Sequence, residues 1–96
     1  MSPINKKKLD LIRIKLDKLD TEFLKLIKKR SNLVNEVLKV KVYKKEIIDQ
    51  KRINFILKKI KKKSHQLKID PKITNRIWKN MIWSFIDYEK RNFKKK

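Results

Sequence analysis

The chain has 96 residues, no Cys, one His and a formal net charge of +20. Its length allows one domain, 1–96, with a modest core of its own; the missing thiols exclude a disulfide framework, a thiol nucleophile and a thiolate metal site, and a single imidazole leaves zinc without a ligand set. No apolar run has the length of a signal segment or a membrane span, so a soluble, untargeted protein of the cytoplasm with no membrane partner is expected.

Ser2-Pro3 predicts a helix start, with Ser as the cap and Pro at the first helical position. Lys6, Lys7 and Lys8 then sit poorly against the positive end of that helix and favour fraying. From Leu9 to Lys41 the pattern is one continuous amphipathic helix. Leu9, Ile12, Leu16, Leu19, Phe23, Leu26, Ile27, Leu33, Val34, Val37 and Leu38 recur at intervals that hold one stripe on one face, and no Gly or Pro interrupts them. From roughly Asn5 to Val40 this helix is on the order of 50 Å long. A compact chain of this size has a radius of gyration of only about 12–13 Å. The helix is too long for its own chain to cover, and a second copy is expected to cover the rest.

Arg30 and Lys41 lie three turns plus about 20° apart, on one face, with Val34 and Val37 between them. Cations that border an apolar stripe must be paired or hydrogen-bonded. Arg13 precedes Arg30 by about 25 Å along the axis and about 100° around it, too far for one small ligand to bridge within a chain. If Arg13 shares a site with Arg30, it does so in another subunit; otherwise all three are surface cations of a very basic chain.

Val42 to Ile48 breaks the helical pattern and reads as a short connection. Asp49 caps or opens a second helix, in which Ile53, Ile56, Leu57 and Ile60 repeat at three and four, with Arg52 beside the stripe. Lys58, Lys59, Lys61, Lys62 and Lys63 read as a solvated face and end. Ser64 to Asp70 is expected to be the second connection, holding His65 as a surface residue. Asp70-Pro71 starts a third helix, a cap followed by Pro. Its stripe runs through Ile73, Ile77, Trp78, Met81, Ile82, Phe85, Ile86 and Phe93, and Glu89 falls on it. The residues after Phe93, about 94–96, read as a disordered tail. An acid on an apolar stripe costs energy unless it is paired or protonated. Glu89 serves as a neutral hydrogen-bond donor only where burial prevails over nearby cations.

The charge invites a nucleic-acid reading. Yet the chain has no Gly and no Ala and is rich in Lys, Ile and Asn, the bias of an AT-rich coding sequence. The Lys are spread over every segment, whereas a phosphate-tracking surface concentrates them in one stripe. No nucleic-acid partner is expected. Against that background Arg is informative: of 30 basic residues only five are Arg, namely Arg13, Arg30, Arg52, Arg76 and Arg91. A retained Arg points to its planar fork, and so to carboxylate or phosphate recognition.

In order, an Arg in "LIRIKLDKLD", an Arg in "LIKKRSNLVNEVLKVK" with Lys closing it, "DQKR" opening the second helix and "IWKNMIWSFIDYE" ending the third resemble the all-helical chorismate mutase family over about residues 9–93. The resemblance implies an all-α fold, three helices per chain, in an intertwined homodimer with two active sites. It implies conversion of chorismate to prephenate, on the shikimate pathway to Phe and Tyr, without a cofactor. Carried onto this sequence, Arg13 of one subunit and Arg30 of the other clamp the two carboxylates, Lys41 and Glu89 hydrogen-bond the ether oxygen, and Asp49 and Arg52 line the same pocket.

This residue set suits a Claisen rearrangement, which is unimolecular and needs a held conformer and stabilised charge but no nucleophile or metal. Three positions depart from the family pattern. Ile53 stands where a Glu commonly contacts the substrate's hydroxyl, leaving that contact to Asp49. Phe85 stands where many members have Ser, with Ser84 next to it. Glu89 replaces the Gln of some members. An isochorismate pyruvate-lyase on the same fold and a basic helical nucleic-acid-binding module are the alternative functions.

Overall fold

The computed structural model describes residues 1–95 and is all-α, with three helices. Lys96, the last residue of the expected tail, lies outside the described residues. Helix α1 runs Pro3–Val40, α2 Gln50–Gln66 and α3 Pro71–Asn92, and a single 3-10 turn, Lys44–Glu46, lies between α1 and α2. The chain divides into two compact units, Met1–Leu33 and Val34–Lys96.

The first unit is helical from Pro3 onward. Ser2 caps it as the sequence indicates, its Oγ accepting from the Asn5 N–H at 3.2 Å, and Pro3 stands at the first helical position. No residue of α1 is buried. Ile12, Leu16, Leu19, Phe23 and Leu26 are all exposed, Leu26 at 61%. The apolar residues of the amphipathic stripe are therefore exposed along the first unit.

The second unit holds the core. Ile47, Ile53, Ile82 and Ile86 are buried together, and Ile56, Leu57 and Phe93 pack against them. Three of the four come from α2 and α3, which pack on each other. Ile47 comes from the connection after α1. That connection is held by Glu46, whose carboxylate accepts from the N–H groups of Val42 and Tyr43, and by the Ile47 N–H donating to the Lys44 carbonyl at 3.1 Å. Ile47 is thereby turned inward to 3% exposure.

Both remaining helix starts follow their sequence signals. Asp49 Oδ1 accepts from the Arg52 N–H at 3.0 Å, and Asp70 Oδ1 accepts from the Lys72 N–H at 3.0 Å, ahead of Pro71. These side chains satisfy donors that a helix start leaves open.

The end of α2 departs from the expectation. Ser64 and His65 belong to the helix, and the connection shortens to Leu67–Asp70. Ser64 is buried at 3%. Its hydroxyl donates to the Ile60 carbonyl at 2.7 Å and lies 2.6 Å from Thr74 Oγ1 of α3. With the serine proton spent on Ile60, Thr74 is the donor of that pair. The helix then closes in a Schellman arrangement, Ile69 N–H to Ser64 carbonyl at 2.8 Å and Lys68 N–H to His65 carbonyl at 3.2 Å. Lys68 takes the left-handed position with φ 58°, a place usually given to glycine, which this chain does not contain.

Candidate active site

Lys41 is the first residue past α1, and its N–H still donates to the Val37 carbonyl at 3.0 Å. The end of α1 from Val34 onward belongs to the second unit, as does all of α3. Glu89 lies in the last turn of α3, on the stripe of Ile82 and Ile86, and is 7% exposed. The two side chains meet: Lys41 Nζ donates to Glu89 Oε1 at 2.9 Å, with the side chains 18% and 9% exposed. The cost of an acid on an apolar stripe is thus offset by a cation from just past the end of α1.

A second polar contact joins the same two helices. Tyr88 donates its hydroxyl proton to Asn35 Oδ1 at 2.7 Å. Sequence reasoning passed over this pair. The available signal was an Asn between Val34 and Val37, on the half-buried part of α1, and a Tyr adjacent to the acid singled out on α3.

At the start of α2 the carboxylate of Asp49 is exposed and one of its oxygens is taken by the Arg52 N–H. The Arg52 guanidinium lies over the ring of Phe55, 5.3 Å from its centroid, a cation–π contact along one helix face. Lys59 approaches the same ring at 5.9 Å. Ile53, one position after Arg52, points away from solvent into the core at 6% exposure. Ser84 is exposed and donates to the Asn80 carbonyl at 2.7 Å, while Phe85 is half-buried.

Arg13 and Arg30 belong to the first unit. Arg13 is exposed and Arg30 half-buried. The second unit by itself therefore unites Lys41 with Glu89, and Asp49 with Arg52 through the helix cap.

A groove of about 360 Å³ lies between α2 and α3, lined by Leu57, Lys58, Lys61, Pro71, Lys72 and Asn75. It shares no residue with the Lys41–Glu89 contact. Among the described residues no helix is long and apolar enough to cross a membrane.

No curated protein and no solved structure matches the chain. The sequence model of a family described as chorismate mutase type II does, over residues 12–90. That span begins just before Arg13 and closes just after Glu89, reaches into all three helices, and covers most of the chain; the protein belongs to the chorismate mutase type II family.

Proposed function

We propose that the protein rearranges chorismate to prephenate as a homodimer, an isomerase of the intramolecular-transferase kind working without metal or cofactor. The observation that carries the reading is the Lys41–Glu89 contact at 2.9 Å in a chain of this family. An ammonium group fixed in a largely water-excluded place, with N–H donors to spare, is what an ether oxygen gaining negative charge requires.

The reaction breaks the ether C–O bond and forms a C–C bond within one molecule, so the protein's part is to hold the folded conformer and stabilise the charge that moves to oxygen. Arg30 and Arg13 of the partner subunit would fork onto the two carboxylates, fixing both ends of the substrate. Lys41 spends one of its three N–H donors on Glu89, which leaves two for the ether oxygen. Glu89, through Oε1, holds the Lys41 ammonium in place for that contact. Asp49 spends one oxygen on the Arg52 N–H and offers the other to the substrate's hydroxyl. With Ile53 in the core, that hydroxyl contact falls to Asp49.

Support for the dimer comes from the exposed apolar stripe of α1, where Leu16, Leu19, Phe23 and Leu26 are each about half exposed or more. Contiguous exposed apolar surface of this kind marks an interface.

The test is direct. Purified protein is mixed with chorismate, its loss is followed together with prephenate formation, and isochorismate is run in parallel, while sedimentation reports the oligomeric state. Prephenate formation by a dimer is expected. Pyruvate release from isochorismate alone would transfer the site to the lyase reading, and turnover of neither substrate would sink both.

A further inference from the structure

Lys41 sits where a helix ends. The last four carbonyls of a helix have no partner further along it, and a residue just past them is loosely placed unless something takes them up. Here the segment after α3 does so. α3 stops at Asn92, and Phe93 follows with extended backbone, φ −75° and ψ 119°. Its ring packs against the isoleucine core. Two residues later, Lys95 Nζ donates to the carbonyl of Lys39 and, at 2.8 Å, to the carbonyl of Lys41.

Lys41 is thereby held at three points. Its N–H donates to the Val37 carbonyl at 3.0 Å, its carbonyl accepts from Lys95, and its Nζ donates to Glu89 Oε1 at 2.9 Å. Glu89 and Lys95 both issue from the end of α3, so one terminus grips the backbone and the side chain of the same residue. A cation over the last carbonyls also complements the negative end of α1.

We infer that Lys95 is a positioning residue for Lys41: it fixes the Lys41 backbone so that the side chain addresses Glu89 and the reacting oxygen in one geometry. The inference rests on the reading of Lys41 as the group that meets the ether oxygen. It gives a task to one lysine of a tail that the sequence alone reads as disordered. Lys95 touches no substrate; its effect passes through Lys41.

The test uses the full chain carrying Lys95→Met, with Lys95→Arg as the conservative control. In Lys95→Met, kcat on chorismate is expected to fall about tenfold, since small displacements of a catalytic group cost one to two orders of magnitude. KM is expected to move less than about twofold, because the carboxylate clamps are untouched and Lys41 acts on charge present only in the transition state. Lys95→Arg restores most of kcat. An unchanged kcat, or a loss carried by KM alone, overturns the inference. A second readout needs no turnover: with lysine side chains labelled with nitrogen-15, the Lys41 ammonium signal, protected by Glu89, is resolved in the wild type and exchange-broadened in Lys95→Met. If the wild type rearranges no chorismate, the proposed function fails and this signal alone decides the positioning; identical Lys41 signals in the two proteins overturn it.

Discussion

Lys41 Nζ lies 2.9 Å from Glu89 Oε1 and so ties the residue after α1 to the far end of α3. A pair buried to this degree is weak as a source of stability, because desolvating two charges costs about what their attraction returns, yet removing one partner alone costs about 3–5 kcal/mol. Lys41→Met is therefore expected to lose both turnover and stability. The double variant Lys41→Met/Glu89→Leu removes the stranded acid and is expected to regain most of the melting temperature, with turnover still absent. Thermal melts at one fixed protein concentration and the chorismate assay separate the two effects; a double variant that turned over would take the pair out of the site.

Arg13 and Arg30 give a test of shared sites. Arg13→Ala and Arg30→Ala are each expected to reduce kcat/KM by at least about a hundredfold, the loss of a charge-assisted carboxylate fork. Mixed and allowed to exchange subunits, the two inactive proteins form hybrids in which one of two sites has both arginines. Partial recovery of turnover is expected in the mixture. Proven exchange without recovery would argue against a site shared across the dimer.

Ile53 offers a test in the opposite direction. Its side chain packs with Ile47, Ile82 and Ile86, so Ile53→Glu puts a carboxylate among isoleucines with no cation provided for it. The expected cost is about 3–5 kcal/mol, a fall in melting temperature on the order of 15 °C or more for a chain of this size. Turnover measured well below the new melting temperature is not expected to rise. A stable, faster variant would mean that position 53 faces the substrate.

The hydroxyl pair of Ser64 and Thr74 sets the junction of α2 and α3. Ser64→Ala leaves Thr74 with only the Pro71 carbonyl at 3.4 Å, and a buried donor so stranded costs about 1–3 kcal/mol. Ser64→Ala/Thr74→Val removes both polar groups and is expected to recover most of that loss in thermal melts. Additive losses in the double variant would show the pair to be uncoupled.

The three helices were legible because their signals are local. Ser2-Pro3, Asp49 and Asp70-Pro71 each satisfy donors within three residues, and the apolar spacing of α1 and α3 needs nothing beyond the helix itself. Glu89 could be singled out for the same reason, as an acid on an apolar stripe. That its partner is Lys41 does not follow from spacing, and the family resemblance sets both residues on the ether oxygen without pairing them. What stayed hidden depends on contacts across many residues. The extension of α2 to Gln66 is enforced by Thr74 and by a Lys in a left-handed position, and neither is visible in periodicity. Ile47 was read as part of a connection and is the most buried hydrophobic residue of the core, because one 3-10 turn aims it inward. The Asn35–Tyr88 contact and the Lys95 contacts join residues more than fifty positions apart, beyond the reach of any local rule.

The core carries one more consequence. Its buried hydrophobic residues, Ile47, Ile53, Ile82 and Ile86, are all isoleucine. Knobs of a single size and shape fit one another equally well after a slip of one helical turn, so volume says little about which alignment of the helices is correct. The discrimination passes to the few contacts that only one alignment satisfies: Ser64 with Thr74, Tyr88 with Asn35, and Lys41 with Glu89. In a chain whose alphabet has narrowed toward lysine and isoleucine, those polar partners act as the alignment marks of the fold, and the mark that seats α3 against the end of α1 is the same ion pair proposed to meet the substrate.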